Sequence, residues 1–219
     1  MTREQRRDQL VAVARSLFAD KGFEGTSIEE IAARAEVSKP VVYEHFGGKE
    51  GLYAVVVDRE IVRLDGAIHA AITRPHTSAR RLIELGTLAL LDYIDESPDG
   101  FRIIARDSSG GAAGSGTFAT ILSGVATRVE HLLADQFDRS HFPSDMAPMY
   151  AQMLVGLVGL TGQWWLDARV ELDLSREEVA AHLVNLAWNG MRNLEHDPQL
   201  SSRPLPQASG EPESPSSAS

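Results

Sequence analysis

Lys39, Tyr43, His45 and Lys49 all carry donors suited to phosphate oxygens, and they fall in one short stretch, SKPVVYEHFGGKE, with helical spacing. If Val42 and Phe46 turn inward, this helix presents Pro40, Val41 and Glu44 to a nucleic-acid groove and sets Tyr43 and His45 at its sides. Lys39, in the first turn, stands near base edges or phosphate. Val41 has the shape to pack on a thymine methyl, and Glu44 is an acceptor for cytosine N4 or a solvated anion. Helix starts at Thr26/Ser27 and at Lys49 add partial positive charge that favours phosphate. Each residue alone has a plainer reading: half-buried packing for Tyr43, a surface histidine for His45, a solvated lysine for Lys49. Gathered on one short helix, they favour DNA.

The flanking sequence supplies the elements that position them. Thr26 and Ser27 are both good N-cap residues, each followed three positions on by a glutamate, Glu29 or Glu30, as in a capping box. Ile28, Ile31, Ala32 and Ala35 then form one apolar stripe of a short helix. Glu36-Val37-Ser38 breaks it, Ser38 caps the next helix, Pro40 sits in its first turn and Gly47-Gly48 ends it. Two short helices separated by three or four residues have the spacing of a helix-turn-helix, whose second helix enters the major groove. A preceding helix over residues 3–21 buries Leu10, Val13, Ala14, Leu17 and Phe18, keeps Arg3, Arg6, Arg7 and Arg15 for solvent or phosphate, and stops at Gly22.

The 219-residue chain has an ordinary soluble composition, 43% hydrophobic and 24% charged, and no cysteine, which excludes disulfides, thiolate zinc sites and cysteine nucleophiles. Its net charge of −10 does not oppose DNA binding, because residues 1–50 hold eight Lys/Arg against nine Asp/Glu and the excess acid lies elsewhere. Residues 49–72 read as a continuous helix, a rod of roughly 35 Å leading from the head into a body. Further helices are expected over 79–96, 101–106, 118–137, 146–166 and 176–196, with a turn at Ser97-Pro98-Asp99-Gly100. The fold class is therefore all-α: a three-helix head (residues 1–48), a larger helical ligand-binding and dimerisation body (49–196) and a disordered tail (197–219).

Within the body, the glycines of SSGGAAGSG (108–116) match neither GxGxxG nor GxxxxGK[ST], so this segment reads as a loop or pocket lid. Met146 to Leu166 lacks any charge, but Gln152, Gln163, flanking Asp145 and Asp167 and the absence of a basic edge argue for a buried helix rather than a membrane span. Aromatic and methionine-rich helices with a few polar groups suggest a ligand pocket built from Tyr93, Phe101, Arg106, Phe118, Leu122, Gln152, Met153, Gln163 and Trp164. Adjacent Trp164 and Trp165 point about 100° apart, so one faces the interior and the other a neighbouring helix or subunit. Small residues on the last two helices suggest a self-complementary homodimer contact through Gly156, Gly159, Leu183, Leu186, Ala187 and Gly190. Scattered histidines and the lack of an activating triad leave no catalytic, metal or cofactor site to name. A cytoplasmic location is expected, since no apolar run follows the charged N-terminus.

The run from Gly22 to Tyr53 resembles the N-terminal domain of TetR-family transcriptional regulators: Thr-Ser at the second helix, Ile-Ala-x-x-Ala within it, Val-Ser before the third, Val-Tyr-x-His-Phe along it and Lys-Glu-x-Leu opening the fourth. The resemblance implies a homodimer with a DNA-binding head and a divergent body, in which a small-molecule effector shifts the fourth helix and releases double-stranded DNA. By position, Thr26, Ser38, Lys39, Pro40, Tyr43, His45 and Lys49 match the family's DNA contacts, whereas Glu44 departs from the neutral or basic residue of many members. The expected function is a repressor at a pseudo-palindromic operator, released by a largely apolar ligand. The rival readings are a helical carrier or sensor without operator binding, and an all-α enzyme.

Overall fold

The computed structural model describes residues 1–107, 117–196 and 198–199; the expected 108–116 loop and nearly all of the expected tail lie outside the described residues. The described chain is helical throughout: α1 Arg3–Lys21, α2 Ile28–Arg34, α3 Lys39–Phe46, α4 Lys49–Ile72, α5 Ala79–Glu96, α6 Pro98–Asp107, α7 Thr117–Ser140, a 3-10 turn Ser144–Met146, α8 Ala147–Leu172 and α9 Arg176–Arg192. No described helix is long and apolar enough to cross a membrane.

Local chemistry accounts for the boundaries. Reciprocal capping boxes start α1 (Thr2 with Gln5) and α9 (Ser175 with Glu178), and the Ser78 hydroxyl caps α5. Gly47, with φ of 75°, takes the left-handed conformation that stops α3 and lets its N–H bond the Tyr43 carbonyl. Ser97-Pro98-Asp99-Gly100, expected as a turn, is instead the entry to α6. Proline is well suited to a helix's first turn, and the Phe101 N–H already bonds the Ser97 carbonyl at 3.0 Å. α8 continues six residues past its expected end to Leu172, and α9 stops at Arg192 instead of 196.

Two cores result. The head core gathers Leu10, Leu17, Phe18, Ile31 and Val42, but it does not close within residues 1–48. Leu52 and Val56 of α4 and Ile103 of α6, only 2% exposed, complete it. The body core packs α4, α5, α7, α8 and α9 around Leu64, Leu91, Ile94, Phe101 and Trp165. Its glycines serve close helix approach within the chain: a Cβ on Gly159 would come within 2.8 Å of Leu122 on α7, and one on Gly162 within 2.9 Å of Leu90 on α5. Gly159 is therefore an intrachain contact and not the dimer contact expected. Leu183 and Ala187 are likewise buried, on the side of α9 that meets α5. Gly156, Leu186 and Gly190 remain on the outward side, where Leu186 is 63% exposed.

Thr26 also changes role. Its side chain is 2% exposed, and its hydroxyl donates to the Gly22 carbonyl at 2.8 Å and the Leu17 carbonyl at 3.2 Å, tying the end of α1 to the start of α2. It is a fold residue and not a phosphate contact; Ser27 alone caps α2, accepting from the Glu30 N–H. Thr26→Val keeps the shape and removes both bonds, so urea unfolding should show a loss of about 1 kcal/mol with an unchanged m-value.

Candidate nucleic-acid interface

α3 lies across α2 because Val42 is fully buried and Phe46 is half-buried, with the Arg7 guanidinium 4.8 Å from its ring centroid. That packing leaves Ser38, Lys39, Pro40, Tyr43 and Glu44 exposed on one side, His45 half-buried at the edge and Val41 partly packed on the head core. Ser38 holds the N-cap position without a side-chain cap bond, so its hydroxyl is free of that duty. Tyr43 is 53% exposed and presents an amphipathic ring to solvent.

The cations of this surface are less available than the sequence suggests. Lys39 pairs with Glu29 at the start of α2, and its hydrogen bond holds the Glu29 carboxyl below the usual carboxylate range. Lys49 turns inward: its ammonium donates to the Phe23 carbonyl at 3.0 Å and lies 4.2 Å from the Phe23 ring centroid, where a cation–π contact holds it. It therefore fastens the α1–α2 connection to α4, and reaching phosphate would cost both contacts. Glu44 stands 4.0 Å from Arg3 of α1, an exposed pair worth little in solution that places a guanidinium beside the recognition face.

Behind the head, a cavity of about 720 Å³ opens in the body. Its inner wall is apolar, with Leu64 and Ile68 of α4, Leu90 of α5, Phe118 and Val125 of α7 and Val155 of α8. Thr87, 1% exposed, lines it with a hydroxyl that has no partner among the described residues. Exposed Arg74, Arg139 and Arg192 line the same cavity from the α4–α5 loop and the ends of α7 and α9; none has an ion pair among the described residues.

Of the expected pocket residues, only Phe118 and Leu122 line this cavity. Phe101 is core, and Tyr93 is buried with its hydroxyl on Glu60. Arg106 turns to α1 and donates to the Ala19 carbonyl. Gln152, Met153, Gln163 and Trp164 face outward on α8, because Trp165 takes the inward direction and bonds the Leu174 carbonyl through its indole N–H. Trp188 and Met191 of α9 line the cavity instead.

Glu60 was invisible as a functional candidate, although its position was a signal. It interrupts the apolar stripe Leu52, Val56, Leu64, Ile68, Ile72 of α4, which recurs at steps of four residues, where a charge has no reason to sit unless it is paired. It is 6% exposed, accepts from Tyr93 Oη at 2.7 Å and Ser97 Oγ at 3.2 Å, and meets Arg15 Nη1 of α1 at 3.3 Å. Burial, and then the hydrogen bond to Glu60 and its negative charge, push the Tyr93 phenol well above its usual range, so it stays a neutral donor.

A helix-turn-helix with an exposed second helix, joined by one rod to a hollow helical body, defines a DNA-binding transcriptional regulator. The chain belongs to the tetR family. Residues 10–56 match the profile of bacterial regulatory proteins, tetR family, and residues 82–190 that of the tetracyclin repressor-like C-terminal domain. It is 29% identical over 198 residues to the HTH-type transcriptional activator FasR of Mycolicibacterium smegmatis, a match spanning 89% of this chain and 86% of that protein. Its fold is similar to a TetR-like transcriptional regulator from Rhodococcus sp. RHA1 (TM-score 0.69, 26% identity, 89% of this chain and 100% of the other). A tetR-family regulator from Streptomyces coelicolor is similar too (TM-score 0.66, 27% identity, 88% and 82%).

Because Glu29 holds the Lys39 ammonium, Glu29→Gln should tighten binding to a duplex from the gene's own promoter region. Lys39→Ala should flatten the dependence of log Kd on log salt by about one phosphate contact, read by fluorescence anisotropy. An unchanged salt slope would show that Lys39 does not reach phosphate.

Proposed function

We propose that the protein binds a pseudo-palindromic operator as a homodimer and is released from it by a small, largely apolar ligand with an anionic end. The observation that carries this reading is the double duty of α4. The helix begins beside the recognition helix, closes the head core with Leu52 and Val56, and lines the cavity with Leu64, Ile68 and Ile72. An occupant that displaces α4 must therefore move the head, and a change in head spacing defeats half-sites about 34–36 Å apart or a multiple of it.

The anionic end of the ligand is supported by Arg74, Arg139 and Arg192, which stand at the cavity without ion pairs among the described residues in a chain of net charge −10. By contrast, Arg63, Arg128, Arg169 and Arg176 are each paired with a carboxylate. The apolar inner wall suits an aliphatic or aromatic remainder, and the cavity has the volume of a small-molecule site. The homodimer is supported by Met149, Met153, Leu160 and Trp164, exposed along one side of α8, with Leu186 exposed on α9. An apolar face of this kind fits an isologous contact.

The exposed polar face of α3 argues against a carrier without operator binding, since a carrier has no use for it. The sign of regulation follows from where the operator lies relative to the promoter. The expectation of repression stands beside a relative named as an activator, and both outcomes use the same binding event.

Wild-type protein should retard a duplex from its own promoter region, and Lys39→Ala/Tyr43→Ala should weaken that binding roughly ten-fold or more. Sodium dodecanoate should lower the wild-type affinity, with dodecanol much less effective. No retardation at low salt would sink the regulator's operator reading; equal effects of the two amphiphiles would sink the anionic end.

A further inference from the structure

The carboxylate of Glu60 is the point where head, rod and body meet. Its Oε1 faces Arg15 of α1 at 3.3 Å, and its Oε2 accepts from Tyr93 at 2.7 Å and Ser97 at 3.2 Å, at the end of α5 and the entry to α6. There is little slack: a Cβ on Gly100 would lie 2.1 Å from Oε2, so the first turn of α6 already stands against it. Arg15 has no other carboxylate among the described residues, and its Nε is buried without a partner. The cavity begins one turn away on both helices, at Leu64 on α4 and at Leu90 on α5, three residues before Tyr93.

A leucine at position 60 would continue the apolar stripe of α4 and hold the helices together at lower cost than a buried charge. What a carboxylate adds is a directional link whose two ends can be broken separately. We propose that Glu60 is a positioning residue for DNA binding: it fastens α1 to α5 through one side chain, so that a shift between α4 and α5 at the cavity is passed to the recognition head. The inference rests on the ligand-responsive reading above and assigns its transmission to this cluster. It makes Tyr93 and Ser97 the body's hold on the head and Arg15 the head's hold on the body.

The test uses the full chain with Tyr93→Phe, which removes one donor and keeps the ring packed against Phe101, and with Glu60→Gln. The absence of cysteine allows spin labels at two introduced sites, Ala33→Cys on α2 and Ala119→Cys on α7, both exposed, with labelled protomers diluted in unlabelled chain. Pulsed dipolar distances should be narrow in the otherwise wild-type protein and broadened or displaced in both variants. In parallel, the factor by which dodecanoate weakens promoter-DNA binding should fall roughly five-fold or more in Tyr93→Phe, while dodecanoate affinity, read by isothermal titration calorimetry, stays unchanged. Unaltered distances in both variants overturn the proposal, as does a full wild-type dodecanoate response in Tyr93→Phe. A wild type that ignores dodecanoate refutes this probe and the ligand reading, and the distance measurement still decides the role of Glu60. Should Glu60→Gln fail to fold, Tyr93→Phe carries the decision.

Discussion

One continuous helix has to satisfy two cores. α4 places Leu52 and Val56 among head residues and Leu64, Ile68 and Ile72 among body residues, all on a single stripe that recurs at steps of four residues. Because an α-helix with this stripe buried at both ends bends only at some cost, neither core can shift along α4 without the other responding. Ile103 strengthens the constraint by carrying α6 of the body into the head core, and Arg106 adds a bond from the same helix to the Ala19 carbonyl. The head is thus held by apolar packing from two body helices and by the buried Glu60 link between them. A buried carboxylate of this kind is costly to strip of a partner, so losing either end weakens the hold of the head on the body.

The electrostatics of the head follow a related economy. The two lysines nearest the α3 face are engaged: Lys39 is paired with Glu29 and Lys49 is held on Phe23. Both engagements, and the net charge of −10, oppose non-specific attraction to a polyanion. What remains for recognition is a compact polar face around Ser38, Pro40 and Tyr43, with Lys39 available only by exchanging a carboxylate for a phosphate. On the proposed reading, that exchange would couple binding to the fit of the α2–α3 pair on DNA and favour specific over non-specific complexes.

The helix-turn-helix was legible because local rules and tertiary packing agree there. Ser27 and Ser38 at cap positions, the Ile28/Ile31 stripe, Val42 inside and Gly47 at the stop are each determined within a few residues. Thr26 misled because a threonine beside a cap serine can cap, contact phosphate or bond backwards, and only the return of α1 supplies the Leu17 and Gly22 carbonyls that decide. The body was legible as helices but not as a site. Apolar periodicity states that a residue is buried without saying whether it faces core, cavity or another subunit. Trp164 and Met153 went outward and Trp165 inward by a rotation that sequence leaves free. The glycines of α8 fit either an intrachain or an intersubunit approach, and Leu122 and Leu90 chose the first for Gly159 and Gly162. Glu60 was legible in principle, as the one charge on a buried stripe, but its partners lie on α1 and α5, 45 and 33 residues away.

In the proposed mode of binding, two copies of the α3 face, held at a fixed separation by their bodies, read one symmetric DNA site. Selection of ligand-free, full-length protein on randomised duplex DNA tests it most directly. The account predicts enrichment of a two-fold symmetric sequence whose half-site centres lie about 10–10.5 base pairs apart or a multiple of that. Recovery of a single asymmetric half-site, or no enrichment over the starting pool, would contradict it.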